Sequence, residues 1–192
     1  MADVSAEQDL IQQALAGDVD AFGELVRLYE QPVFNLTYRM LGDGQEAEDA
    51  AQEAFIRAYS NLRSYDTSRS FKTWLFSIAS NHCIDRLRKR RLTWVSIDEP
   101  LPPHPALVSD QFDPERSLVN QERSQLVQAM LSDLAPDYRA AVIMRYWYDM
   151  SYADIASALE TTESAIKSRL FRARQMLADK LDTRILAESE RN

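Results

Sequence analysis

The sequence predicts an all-α protein made of two small helical domains joined by a proline-rich acidic linker. Three observations carry that expectation. Only 4 glycines stand against 45% hydrophobic residues, a balance that suits helices rather than a turn-rich β fold. Apolar residues recur at three- and four-residue spacing in a series of stretches, most of them opened by a capping residue. Residues 93–121 lose that periodicity and collect Pro100, Pro102, Pro103, Pro105 and Pro114.

Residues 5–92 read as the first domain. Ser5 with Gln8 has the pattern of a capping box, opening a helix with the apolar face Ala6, Leu10, Ile11, Ala14 and Leu15 and a stop at Gly17. Asp18 caps a second helix bearing Phe22, Leu25, Val26, Tyr29, Val33 and Leu36, which Pro32 is expected to kink or break. Gly42 and Gly44 stop the chain, and Asp43 with Glu46 starts a third helix. Its stripe of Ala47, Ala50, Ala51, Ala54, Phe55, Ala58, Tyr59 and Leu62 is the clearest amphipathic pattern in the chain. After a polar loop, 63–70, a fourth helix buries Phe71, Trp74, Leu75, Ile78, Ala79, Cys83 and Leu87 and ends in the basic run Arg86, Arg88, Lys89, Arg90 and Arg91.

The linker is assigned to 93–112. The whole aperiodic stretch, 93–121, would reach roughly 95 Å fully extended but averages about 30 Å as a flexible coil. The second domain, 113–187, opens at Asp113 and Pro114, an N-cap followed by proline in the first helical position. Its first helix carries Leu118, Val119, Leu126, Val127, Met130, Leu131 and Leu134, and Pro136 begins another with Val142, Ile143, Tyr146 and Trp147. Ser151 with Asp154 caps a short helix, Tyr152 to Leu159, and Thr162 caps a longer one on which Ile166, Leu170, Ala173 and Leu177 face inward. A short helix, a tight turn and a second helix with a basic outer face make a helix-turn-helix.

Composition narrows the function. The net charge of -8 speaks against unaided binding to duplex DNA, but the charge is unevenly spread. Residues 1–92 hold 11 basic and 14 acidic groups, 93–121 hold 1 and 5, and 122–192 hold 10 and 11. Two tight cationic footprints, 86–91 and 167–174, stand out from the acidic background. Cys83 is the lone cysteine and the two histidines are His82 and His104, so no disulfide framework, metal site or cofactor is expected. No serine–histidine–aspartate set, phosphate loop or other catalytic constellation is visible, and no enzyme is expected. The first residues lack an apolar run and no stretch of about 18 apolar residues occurs, which predicts a cytoplasmic protein with no membrane insertion of its own.

On the last helix, Ser164, Lys167, Ser168, Arg169, Phe171, Arg172 and Arg174 are the residues proposed for DNA. Lysine and arginine reach guanine acceptors in the major groove, and an aromatic ring can touch a thymine methyl. In the first domain, Tyr65, Phe71, Lys72, Trp74 and Asn81, beside Arg88, Lys89, Arg90 and Arg91, combine rings, an amide and cations in the mixture that suits single-stranded DNA. The ordinary alternative is a buried ring for Trp74 and a solvated face for the cations.

The stretches Asp49-Ala-Ala-Gln-Glu-Ala-Phe-Ile-Arg-Ala-Tyr59, Phe71-Lys-Thr-Trp-Leu-Phe-Ser-Ile-Ala-Ser-Asn81 and Asp85-Arg-Leu-Arg88 resemble the second conserved region of extracytoplasmic-function sigma factors, group 4 of the sigma-70 family. Leu134-Ala-Pro136, Ser151-Tyr-Ala-Asp-Ile-Ala156 and Ile166-Lys-Ser-Arg-Leu-Phe-Arg-Ala-Arg174 are similar to the fourth region. The resemblance implies a region 2 bundle and a region 4 helix-turn-helix. It further implies that Asp49, Gln52, Glu53 and Arg57 dock on the coiled coil of the β′ subunit of core RNA polymerase, with the β flap as a second contact. The loop 63–70 with Asn81 would capture a base flipped from the melted minus-10 element, and the helix from Glu163 would read the minus-35 element as duplex. The linker would thread the polymerase, and an anti-sigma factor would be a partner. Glu160 stands where the family often has glycine, and a positive φ there implies strain of about 1 kcal/mol. The rival readings are a stand-alone helix-turn-helix regulator, favoured by a solution dimer and symmetric half-site protection, and a pure interaction protein.

Overall fold

The computed structural model describes the backbone of residues 4–95 and 124–189, and the side chains of 6–90 and 124–181. The chain forms α1 (Val4–Leu15), α2 (Val19–Leu41), α3 (Gly44–Ser60), a single 3-10 turn (Leu62–Ser64) and α4 (Phe71–Val95). Then follow α5 over residues 124–132, α6 (Pro136–Trp147), α7 (Tyr152–Ala158) and α8 (Glu163–Ser189). No strand occurs among the described residues, as the composition predicted.

Most boundaries follow the capping chemistry. The Asp18 carboxylate accepts from the backbone N–H groups of Asp20 and Ala21, and Asp43 accepts from Glu46. The Ser151 hydroxyl accepts from the Asp154 N–H at 3.1 Å and donates to the Asp154 carboxylate at 2.6 Å, while Thr162 accepts from Ala165. Each bond from a backbone N–H satisfies a donor that a helix start leaves orphaned. Gly42, at φ 80, closes α2 by donating to the Tyr38 carbonyl, a left-handed cap that favours glycine.

Four expectations need correction. Helix α1 is already formed at Val4, so Ser5 lies inside it rather than capping it. Helix α2 runs unbroken through Pro32, because packing against α1, α3 and α4 outweighs one lost backbone bond. Leu126 and Val127 face solvent; Leu131 and Leu134 hold the buried side of that segment. Helix α4 continues to Val95, beyond the boundary expected at residue 92. The helix start at Asp113 and Pro114, the residues Leu118 and Val119, and the linker from residue 96 onward lie outside the described residues.

Ala47, Ala50, Ala54 and Ala58 of α3 are all fully buried where that helix packs against α2 and α4, and side chains this small let helix axes approach closely. Helices α6, α7 and α8 close around Ile143, Met144, Ile155, Ile166 and Leu170. The two helical units then share one apolar core. Helix α4 is its middle, because α2 and α3 pack on one side and α6 and α7 on another. Phe76 lies off the predicted stripe yet is fully buried, with its ring meeting Tyr148 edge-on at 4.6 Å between centroids.

Polar bonds tie the same seam. Arg139, 6% exposed, donates to the carbonyls of Met40, Ser132 and Leu134. Gln128 donates to the Arg39 carbonyl at 3.1 Å, and the Tyr148 hydroxyl donates to that of Pro32 at 2.6 Å. The Arg39 and Met40 carbonyls, left over at the end of α2, are thus satisfied by the second domain.

Two predictions arise here. Glu160 has φ 49, a conformation that costs a side-chain-bearing residue about 1 kcal/mol or more. Glu160→Gly is therefore expected to raise the thermal midpoint by a few degrees despite glycine's larger unfolded-state entropy; a lowered midpoint would count against strain at this turn. The second concerns alkaline pH. Burial pushes the Tyr148 phenol and the Cys83 thiol up to about 12, and it raises the Tyr29 phenol in the same direction. Once unfolded, these groups ionise at lower pH, so their contribution is intact below their ordinary values and is lost as pH climbs toward 12. Arg139, lowered by burial to about 10, acts in the opposite sense but is one group against three. Denaturation midpoints followed by circular dichroism should fall between pH 9 and pH 12, with Tyr148→Phe losing less than the parent.

Candidate nucleic-acid interface

Helix α8 presents the strongest candidate surface. Ile166, Leu170 and Ala173 are buried, which by helical spacing turns Ser164, Lys167, Ser168, Phe171, Arg172 and Arg174 outward. All six are exposed, Phe171 at 54%. Arg169 departs from the set. It is half-buried and turned toward α6, with Nη1 3.9 Å from the Asp137 carboxylate, because position 169 falls between the core stripe and the outer face. Tyr152, which sequence reasoning did not single out as a site residue, joins the surface. The Arg145 guanidinium lies over its ring at 5.6 Å and the Lys167 ammonium at 5.8 Å, so the ring props a proposed DNA-contacting cation. A shallow groove there is lined by Tyr152, Lys167, Ser168, Phe171 and Arg172.

In the first domain the loop between the 3-10 turn and α4 is held by its own aromatic residues. Tyr65 and Phe71 are buried, their rings meeting at 5.5 Å, with Trp74 5.0 Å from Tyr65 and Tyr29 5.6 Å from Phe71. The Tyr65 hydroxyl donates to the Arg69 carbonyl, and Asp66 accepts from the Ser68 N–H at 3.0 Å. Tyr65 is expected from the sequence to face DNA, and Phe71 is expected both on the buried side of its helix and among the DNA-facing rings; in this structure both rings brace the loop from inside, since two rings beside an apolar helix start gain more by burial than by exposure. Trp74 and Asn81 are half-buried. A groove opens between this loop and α1, lined by Glu7, Gln8, Ile11, Thr67, Ser68 and Ser70. The contribution of α1 was not foreseen, and its link, Tyr29 donating to Glu7 at 2.7 Å, spans residues too distant for local pattern to reveal.

The cations of α4 are partly engaged. Lys72 reaches the Tyr148 carbonyl at 3.4 Å and lies over the Phe76 and Tyr148 rings, so it sits at the domain seam rather than in the open. Arg88 donates to both carboxylate oxygens of Asp137, at 3.1 and 3.0 Å, and Arg90 pairs with Glu46. Lys89 is exposed, and the Arg91 side chain lies outside the described residues.

Helix α3 carries a third surface. Asp49, Gln52 and Arg57 are exposed and Glu53 is half-exposed, with Arg57 donating to Glu53 at 2.7 Å. That bond holds the Glu53 carboxyl below its ordinary value. Ile56, 61% exposed, lies at the centre of this polar face. An apolar centre inside a polar rim is the composition of a protein docking patch. Among the described residues no histidine, cysteine, aspartate and glutamate group could hold a metal ion, and no helix is long and apolar enough to cross a membrane.

Known proteins share both halves of this arrangement. The family model for Sigma-70 region 2 matches residues 25–93, and the model for Sigma-70, region 4, matches residues 124–177. The ECF RNA polymerase sigma factor SigW of Bacillus subtilis is 39% identical over 176 residues, covering 89% of this chain and 94% of the relative. The ECF RNA polymerase sigma-E factor of Escherichia coli K12 is 30% identical over 193 residues, covering 94% and 97%. Two solved structures share the fold. CnrH in complex with the cytosolic domain of CnrY has a TM-score of 0.68 at 24% identity, covering 93% of this chain and 98% of that one. The sigma factor RpoE in complex with the anti-sigma factor NepR from Bartonella quintana has 0.67 at 24%, covering 85% and 98%.

Proposed function

This chain belongs to the extracytoplasmic-function sigma factors of the sigma-70 family, and on that premise we propose which of its surfaces carries each step of promoter recognition. As an alternative sigma factor it binds core RNA polymerase and directs promoter-specific initiation through the minus-10 and minus-35 elements. In this reading bond making belongs to the polymerase, the sigma chain is no enzyme, and it works in the cytoplasm.

The outer face of α8 enters the major groove of the minus-35 element. Lys167, Ser168, Phe171 and Arg172 lie nearest the bases, and Ser164 and Arg174 contact the flanking phosphates. The braced loop 65–70, with Asn81 and the α1 groove, receives an unstacked minus-10 base; Tyr65, Phe71 and Trp74 hold that loop in shape. Arg88, Lys89, Arg90 and Arg91 attract phosphates, and Lys72 joins them once it leaves the seam. Asp49, Gln52, Glu53 and Arg57, around Ile56, dock on the β′ coiled coil, while the second domain meets the β flap. An anti-sigma factor, of the kind bound to the RpoE relative, would cover these faces. The functional limits proposed are 5–92 for region 2, 93–112 for the linker and 113–187 for region 4, with the end of α4 reaching into the first residues of the linker. A stand-alone regulator explains the helix-turn-helix but not the docking face on α3.

The observation that carries this reading is the capped α8 with its outward cationic and aromatic face, joined in one chain to a second basic helix. Transcription from a promoter library by purified core polymerase, with and without this chain, tests it. Transcripts that depend on the chain and start at a shared sequence pair are expected. Tight sequence-specific binding by the chain without polymerase, or no association with core at all, would overturn it.

A further inference from the structure

A lysine ammonium is a point charge on a flexible four-carbon stem, and by itself it favours no one direction in a groove. Lys167, proposed above as a base reader, is exposed on α8, yet its ammonium lies over the Tyr152 ring at 5.8 Å. That ring stands at the first position of α7 and is half-buried. The Arg145 guanidinium lies over the same ring at 5.6 Å. Both cations are within the range at which the negative face of an aromatic ring attracts a positive charge.

Two cations on one ring repel each other, so the arrangement needs a counter-charge. Asp149 supplies it. Arg145 Nη1 donates to the Asp149 carboxylate at 2.9 Å and to the Met150 carbonyl at 3.0 Å, bonds that fix the guanidinium from the turn between α6 and α7. The turn is itself held, because the Met150 N–H donates to the Met144 carbonyl at 3.2 Å and Ser151 caps α7. A chain of contacts thus runs from Asp149 through Arg145 and Tyr152 to Lys167. Neither Asp149 nor Arg145 lines the groove on the reading face, and the Asp149 side chain is 93% exposed.

Resting on the minus-35 reading of α8, we infer that Tyr152 and Asp149 are positioning residues for Lys167, and that Asp149 sharpens base selection without meeting a base. The ring narrows the directions open to the ammonium before DNA arrives. Less freedom is then lost when a base acceptor is met in the right place, and an acceptor in the wrong place gains less. Asp149 acts one step back. It offsets the charge of Arg145 and holds it on the turn, which leaves the ring to Lys167 and keeps the guanidinium from the phosphates beside the groove. Without that carboxylate Arg145 becomes one more phosphate contact, and such a contact binds every sequence alike.

Holoenzyme reconstituted from core polymerase and the full chain, transcribing a promoter library randomised across the minus-35 element, provides the test. Lys167→Ala should flatten the preference at one promoter position. Tyr152→Leu should lower the preference at that same position about 2- to 5-fold, the worth of one exposed cation–ring contact. Tyr152→Phe keeps the ring and should stay close to the parent. Asp149→Asn keeps a residue that tolerates the φ of 48 at this position. It should lower the same preference and steepen the salt dependence of promoter binding by about 0.9, the mark of one added phosphate contact on duplex DNA. In a Lys167→Ala chain neither Tyr152→Leu nor Asp149→Asn should alter the preference further. A loss with Tyr152→Phe equal to that with Tyr152→Leu, uniform weakening of all sequences, or undiminished losses in the Lys167→Ala chain overturns the inference. Proton NMR of the free chain reads the support without DNA. The Lys167 ε-methylene should be shifted upfield by the ring, less so in Asp149→Asn and not at all in Tyr152→Leu; a parent lacking the shift also overturns the inference. A shift that responds in this way, in a chain whose transcripts show no minus-35 preference, would uphold the ring contact and overturn the minus-35 reading together with the role given to Asp149.

Discussion

Arg139→Met is expected to cost on the order of 3 kcal/mol of stability and to loosen the seam between the domains. The guanidinium is almost wholly buried, and no carboxylate forms an ion pair with it among the described residues; its partners are the carbonyls of Met40, Ser132 and Leu134. Each buried acceptor left without a donor costs about 1–3 kcal/mol. Methionine fills similar volume and escapes the desolvation that lowers the arginine pKa, so part of the loss is offset. Urea denaturation should show a lower midpoint. If the seam opens before the domains melt, the single transition should broaden or split. A change below about 1 kcal/mol would mean that water replaces the guanidinium and that the carbonyl contacts matter little.

The second large effect is expected from Lys167→Ala combined with Arg172→Ala. Each residue is exposed on the outer face of α8, and a base contact is worth about 1–3 kcal/mol of discrimination. Together the substitutions should lower minus-35-dependent transcription at least tenfold while leaving association with core polymerase and the thermal midpoint unchanged. The two roles separate by salt. Loss of a phosphate contact flattens the salt dependence and weakens all sequences alike, whereas loss of a base contact relaxes preference at one promoter position. Unchanged promoter output would remove this face from the minus-35 contact. Lys167→Ala also releases Tyr152 from its cation, so Tyr152→Leu provides a milder comparison that disturbs the support without removing the charge.

Much of the fold is legible in local chemistry. Asp18, Asp43, Ser151 and Thr162 each cap the helix expected of them, because a side-chain oxygen within three residues of an orphan N–H is a short-range affair. The alanine stripe of α3 and the inward row on α8 are equally local. What escaped is what depends on residues distant in sequence. Phe76 reads as off-stripe because a helix buried on two sides has no single apolar face. Arg139 carries no local signal of burial, because its acceptors are backbone carbonyls, one of them ninety-nine positions away. Tyr65 and Phe71 carry the right chemistry for stacking on bases but find each other first. For the same reason the groove formed with α1 was invisible: Glu7 and Tyr29 meet only once α1 has folded back on α2.

The alanine stripe of α3 reaches beyond packing. With no exposed atom at positions 47, 50, 54 and 58, α3 lies close against its neighbours, and the isoleucine on its far side is carried at that same height. Enlarging any of the four would act as a shim, displacing the ridge proposed to meet polymerase outward without altering a residue on it. Weakened holoenzyme formation could then arise from substitutions that never meet the partner, and the defect would follow side-chain volume rather than charge.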